Sequence, residues 1–167
     1  MQLESDGGRL TVTLDGEAET DRLGQAVARA VAPGVVIGLV GQRGAGKTRL
    51  VRAIAEALGV DPGAIASPTF VLIHEYPGAI PIAHFDAYRL DGPDDFDALG
   101  AADYWAEPAY LCLIEWADLV ADRLPLDAWW IRIEATSPTG RVVRIESNQA
   151  GAIAEHLKQP ETGPAQG

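Results

Sequence analysis

Apolar and polar positions along the chain repeat in different spacings, and each spacing predicts a different element. RLTVTL (9–14) alternates as a half-buried strand does. EAETDRLGQAVARAVAPG (17–34) instead sets Ala18, Leu23, Val27 and Val31 near one face of a helix, and Pro33 and Gly34 end it. VVIGLV (35–40) is short and almost wholly apolar, as in a strand buried on both faces. A second helix is predicted from about Lys47 to Leu58. Its apolar stripe is Leu50, Val51, Ile54 and Leu58, with Arg49, Arg52 and Glu56 facing out and Gly59 as its stop. TFVLIHEY (69–76) and IPIAHFDAY (80–88) read as strands separated by a turn at Pro77 and Gly78. DGPDDFDALG (91–100) reads as a helix, with an early proline and aspartates in its first turn. YLCLIEW (110–116) is another buried strand. WWIRIEAT (129–136) and RVVRIES (141–147) pair as a hairpin around SPTG (137–140). A last helix covers roughly 148–158, and the polar, proline-rich tail 159–167 is predicted to be disordered. Together these predict one domain over 1–158, with an α/β sheet that is parallel at its centre and has antiparallel additions.

Composition narrows the class. A chain of 167 residues, 47% of them apolar, can bury a core without disulfides. Cys112 is the sole cysteine, so no internal bridge exists and a reducing compartment is expected. Its place in YLCLIEW marks it as a buried strand residue. MQLESDGGRL lacks the regions of a signal peptide, and no run reaches the ~18–20 apolar residues of a membrane span, so the expectation is a soluble, cytoplasmic protein with no membrane partner. The net charge of -11 weighs against direct wrapping of nucleic acid, so any RNA would be held by another subunit; the commoner use of such acidity is simply solubility. Lysine occurs only at 47 and 158.

Lys47 falls inside the strongest motif, GQRGAGKT (41–48). Gly41, four intervening residues, then Gly46, Lys47 and Thr48 match the phosphate-binding loop, and the motif lies between a predicted strand and a predicted helix, as that loop requires. Glycines such as Gly41, Gly44 and Gly46 let successive N–H groups turn inward around phosphate oxygens, and the helix N-terminus adds a favourable field. Gln42, Arg43 and Ala45 complete the cradle, and Arg49 follows it. Lys47 is suited to bridge the β- and γ-phosphates, and the Thr48 hydroxyl to ligate magnesium. The chain has no Asn/Thr-Lys-x-Asp segment of the guanine-specific type, so ATP is the expected nucleotide. The expected fold is therefore a P-loop NTPase-like three-layer sandwich.

Magnesium at such a loop takes a carboxylate from the end of a nearby apolar strand. Glu115 closes YLCLIE and Asp86 closes IPIAHF. One can hold metal while the other orients an attacking water or holds a switch, and the residues alone leave the assignment open. In SPTF (67–70), Pro68 drives Ser67 toward extended geometry and holds Thr69 at a strand entrance. There its hydroxyl either senses a γ-phosphate or belongs to an ordinary turn. In HFDAYRL (84–90), strand periodicity puts His84, Asp86 and Tyr88 on one face. A lone histidine in such a place is more often structural than functional.

TDRLG (20–24), GQRGAGKT (41–48), SPTF (67–70), HFDAYRL (84–90), DALG (97–100), LIEW (113–116) and the LP at 124–125 together resemble the bacterial TsaE family, formerly YjeE. The resemblance spans about residues 18–146. It implies an ATPase required for threonylcarbamoyl modification of tRNA adenosine next to the anticodon. That ATPase acts on a TsaB–TsaD type complex and meets tRNA only through it. It also implies roles: Lys47 on phosphate, Thr48 and Glu115 on magnesium, Asp86 in hydrolysis, and Ser67, Pro68 and Thr69 as a switch-like loop. Trp116 would lie beside the nucleotide, and residues around 16–20 near the adenine. Gln42 and Arg43 depart from the family's frequent Asp and Leu at those positions. Other uses of such a loop are a small-molecule kinase, against which the short 59–66 segment speaks because it leaves no room for a lid, and a nucleotide-gated binding module with incidental hydrolysis.

Overall fold

The computed structural model describes residues 1–65, 71–106 and 109–160. Its middle layer is one eight-stranded sheet. The strands, in chain order, are β1 (Gln2–Asp6), β2 (Arg9–Asp15), β3 (Val36–Val40), β4 (Ile73–Tyr76), β5 (Ile82–Asp86), β6 (Leu111–Glu115), β7 (Trp129–Ala135) and β8 (Gly140–Glu146). Their spatial order is β1-β2-β8-β7-β3-β6-β5-β4. The core run β7-β3-β6-β5 is parallel, and the remaining neighbours pair antiparallel. This is the mainly parallel sheet with antiparallel additions that the alternation predicts. The hairpin of β7 and β8 carries the antiparallel half on one side and β4 caps the other.

Alternation along the central strands sorts side chains into two apolar layers. Ile37 and Leu39 of β3, Leu111 and Leu113 of β6, and Ile131 and Ile133 of β7 face one side. There they meet α1 (Glu17–Ala30), α2 (Lys47–Ala57) and α5 (Ala150–Lys158). Val36, Ala83, Phe85, Cys112 and Ile114 face the other, against Phe96 of α3 (Pro93–Ala98) and Val120 in the 3-10 segment Ala117–Arg123. A short α4 (Asp103–Ala106) follows α3. Parallel strands covered on both faces read as continuous apolar runs, and this is why VVIGLV and YLCLIEW carry no polar alternation. Burial holds the Cys112 thiol well above its ordinary pKa, at about 12, as expected of an inert core cysteine.

Several expectations need correction. In α1 the buried residues are Leu23, Gly24, Ala26 and Val27, whereas Ala18 is exposed and Val31 is the half-buried C-cap. The stripe turns because α1 packs on α2 through Gly24, where an added Cβ would stand 2.4 Å from the Ala53 Cβ. Arg49 does not face out: its guanidinium reaches across to both carboxylate oxygens of Asp21 on α1. β1 has no apolar signature, since QLESD is exposed except at half-buried Leu3. It forms by pairing along β2 and shielding that strand's open edge. The strand predicted over 80–88 ends at Asp86, whose Oδ1 accepts the Tyr88 N–H at 2.9 Å. That local turn takes Tyr88 off the sheet, so it does not share a face with His84 and Asp86. Of the strand predicted over 69–76, Thr69 and Phe70 lie outside the described residues. So does 161–167 of the predicted tail.

The α1–α2 contact gives a stability prediction. Gly24→Ala forces the helices apart and lowers unfolding free energy by about 1–3 kcal/mol in urea denaturation, whereas an unchanged midpoint would show that the crossing yields without cost.

Candidate functional site

β3 delivers the chain to residue 41 at the carboxyl edge of the parallel strands, and α2 begins at Lys47. The loop between them is shaped by glycine for two separate reasons. Gly46 sits at φ 114°, a region that L side chains rarely adopt. Gly41 has ordinary angles, but a Cβ there would lie 2.5 Å from the Ile133 carbonyl oxygen of β7. From β8, Arg141 donates through Nε to the Ala45 carbonyl at 2.7 Å and braces the loop from outside.

Lys47 is 5% exposed. Its ammonium donates to the carbonyls of Gly41 at 2.6 Å and Gln42 at 3.0 Å, and lies 4.0 Å from the centre of the Trp116 ring. Burial depresses its pKa, while the charges of Glu115, Asp86 and Asp118 pull it back up. Trp116 holds φ 57°, the only positive φ outside glycine among the described residues. That left-handed turn swings the chain off β6 and sets the indole against both Lys47 and Tyr88, the latter with ring centres 4.8 Å apart.

The register of β5 on β6 pairs Asp86 with Glu115 and His84 with Leu113. Partners across a parallel ladder point to the same face, so both carboxylates project on the α2 side at the strand ends. Glu115, 2% exposed, uses both oxygens: Oε1 accepts the Thr48 hydroxyl at 2.7 Å, and Oε2 lies 2.7 Å from His84 Nε2. Asp86 is half-buried. Burial is the main cause of its raised pKa and the neighbouring negative charge of Glu115 adds to it, while the Tyr88 N–H opposes the shift.

A cavity of about 290 Å³ opens over these groups, lined among others by Lys47, Thr48, Asp86, Glu115, Trp116 and Arg43. A second, of about 330 Å³, lies beyond the loop between Gly16, Glu17 and Thr20 of the α1 start and Ile133, Thr139 and Arg141 of the β7–β8 hairpin. Gly44, Gly46 and Arg49 border both, so the two spaces form a crescent around the loop. One arm is lined with charge and the other carries Leu14, Leu23 and Val143. The structure thus gathers Lys47, Thr48, Arg49, Asp86, Glu115 and Trp116 around one space. Arg43 stands at its exposed rim, its guanidinium 5.8 Å from the Tyr88 ring centre, whereas Gln42, also exposed, borders a separate cavity with Trp116 and Asp118. Ser67, Pro68 and Thr69 lie outside the described residues. Arg141 and Tyr88 border the crescent without having been singled out as site residues. Arg141 is 96 positions from Ala45, and no local pattern announces such a contact.

Sheet order, loop and crescent define a P-loop α/β protein, with the loop at the carboxyl ends of parallel strands. The family model for "Threonylcarbamoyl adenosine biosynthesis protein TsaE" matches residues 14–143. The tRNA threonylcarbamoyladenosine biosynthesis protein TsaE of Bacillus subtilis is 36% identical over 144 residues, covering 84% of this chain and 89% of that protein. The Rickettsia conorii protein of the same name is 33% identical over 152 residues, covering 87% and 86%. The crystal structure of Bacillus subtilis YdiB superposes with a TM-score of 0.69 at 29% identity, covering 94% of this chain and 96% of that one. The chain belongs to the TsaE family. Among the described residues, no helix is long and apolar enough to cross a membrane.

The carboxylate pair yields a pH prediction. The folded-state pKa of Asp86 is raised, so its contribution to stability is full below the ordinary aspartate pKa and is lost as pH rises through the folded value. Asp86→Asn removes that loss. The ligand-free variant should melt at a higher temperature than wild type at pH 7, with the gain shrinking as pH falls toward about 4. A variant that melts lower at pH 7 would contradict this.

Proposed function

We propose that this protein binds ATP with magnesium and hydrolyses it in support of threonylcarbamoyl modification of tRNA adenosine next to the anticodon, acting on a TsaB–TsaD type complex. Membership of the TsaE family supports the pathway. One observation carries the chemistry: the Thr48 hydroxyl and the Glu115 carboxylate meet at 2.7 Å on the wall of the cavity that Lys47 and Asp86 also line. A hydroxyl and a carboxylate side by side are the hard oxygen donors that magnesium prefers, so the residues fit that ion. Held by Thr48 and Glu115, magnesium would supply positive charge to offset the negative charge that develops in phosphoryl transfer.

Each residue then has a task. The Lys47 ammonium exchanges its two loop carbonyls for phosphate oxygens. N–H groups of the loop from Gly41 to Gly46 surround the β-phosphate, and the N-terminus of α2 adds its field. Asp86, beside Glu115 in register, orients the attacking water. Its raised pKa equips it to take a proton more readily than a solvated aspartate does. Trp116 walls off the phosphates. The arm of the crescent beside Gly16, Glu17 and Thr20 receives the adenine. With a net charge of -11, the protein leaves tRNA to its partners and acts on them through its nucleotide cycle.

The direct test is reconstitution with TsaB and TsaD, following phosphate release and threonylcarbamoyl-adenosine in digested tRNA. Lys47→Ala should weaken ATP binding by about 10–100-fold, the worth of a charge-assisted hydrogen bond. Glu115→Gln should lower turnover by about 100-fold or more while the protein stays folded. Depletion from cells should reduce the modified nucleoside, and unchanged levels with TsaB and TsaD present would refute the proposal. Transfer of phosphate to a small molecule rather than to water would favour a kinase.

A further inference from the structure

His84 is fully buried in β5, two residues before Asp86 and on the same face. It reaches neither cavity wall, so it cannot touch a nucleotide or an ion there. Among the described residues its one polar contact is Nε2 to Glu115 Oε2 at 2.7 Å, and none of them partners the buried Nδ1. Buried polar side-chain atoms are for the most part hydrogen-bonded. Here one nitrogen is aimed, and no described residue meets the other. A carboxylate only accepts, so the contact places a hydrogen on Nε2, which donates to Glu115. The Tyr76 ring flanks the imidazole, 6.3 Å between centres, and His74 stands opposite in the β4–β5 register.

Glu115 explains why the donor is needed. A carboxylate that is 2% exposed requires a partner at each oxygen. The Thr48 hydroxyl serves Oε1 at the cavity edge, and His84 serves Oε2 from inside the sheet. Because the histidine contact lies on the buried side, it fixes the carboxylate plane and leaves Oε1 as the oxygen presented to the cavity. We infer that His84 is a positioning residue: it orients Glu115 so that Oε1 is presented, together with the Thr48 hydroxyl, to the magnesium of bound nucleotide. This rests on the assignment of Thr48 and Glu115 as magnesium ligands. An outer partner of this kind is worth about 10–100-fold in metal affinity.

The test compares side chains of different reach. Glutamine places an amide N–H where Nε2 stands, and asparagine falls short of it. Calorimetric titration with a non-hydrolysable ATP analogue, with EDTA and across a magnesium series, reads nucleotide and ion separately. Melting curves report folding. His84→Asn should raise the magnesium concentration for half-maximal enhancement of binding by about 10–100-fold, and His84→Gln should recover most of that loss. Both should keep wild-type affinity in EDTA. An unchanged magnesium requirement in a folded His84→Asn protein would overturn the inference. So would parallel losses with and without magnesium, which are the mark of a merely structural role. If His84→Asn does not fold, His84→Gln decides: a normal magnesium requirement supports the inference, and a large loss in a folded protein overturns it. Wild-type binding that ignores magnesium would instead remove the assignment of Thr48 and Glu115, and this inference with it.

Discussion

The hydrogen bond between the Thr48 hydroxyl and Glu115 ties the first turn of one helix to the end of one strand, and the rest of the site is arranged around that tie. It is possible only because β6 neighbours β3, so that the strand leading into the loop and the strand bearing the carboxylate end at the same edge. The register of β5 on β6 then places Asp86 beside Glu115. The left-handed turn at Trp116 brings an indole over Lys47 at the point where β6 ends. A shift of β6 by one residue would turn Glu115 toward the opposite face and leave Thr48 without its acceptor. Apolar packing above and below the sheet, including Leu113 on one side and Ile114 on the other, resists that shift.

The site works against the stability of the fold that holds it. Lys47 is buried with a depressed pKa, and Asp86 sits half-buried beside another carboxylate with a raised one. Both shifts have desolvation as their largest cause. Groups whose charged forms are disfavoured in this way in a cleft mark it as a candidate functional site. The two apolar layers, together with the close α1–α2 crossing at Gly24, supply the rigidity that this arrangement needs.

Much of this was legible from periodicity. Parallel strands covered on both faces wrote themselves as VVIGLV and YLCLIEW, and the hairpin as two alternating runs. The loop from Gly41 to Thr48 was legible because the phosphate-binding pattern it matches demands glycine at fixed intervals. Strand-end carboxylates were legible as Asp86 and Glu115, but only the register shows that they are neighbours. What stayed hidden depends on contacts distant in sequence. Arg141 meets the loop from the far hairpin, and Arg49 turns inward because Asp21 waits on another helix. β1 has no pattern of its own and exists because β2 has an edge to cover. His84 was visible beside Asp86, yet without the position of Glu115 nothing distinguished it from an ordinary core histidine. Tyr88 left the predicted strand because the Asp86 side chain captured its N–H.

The central claim is that Thr48 and Glu115 act as one unit on the magnesium of bound ATP. A double-mutant cycle with Thr48→Ala and Glu115→Gln tests it most directly, reading the magnesium-dependent part of nucleotide affinity. The account predicts strong coupling, with the double variant scarcely weaker than the poorer single variant. Losses that simply add would show two independent groups and contradict it.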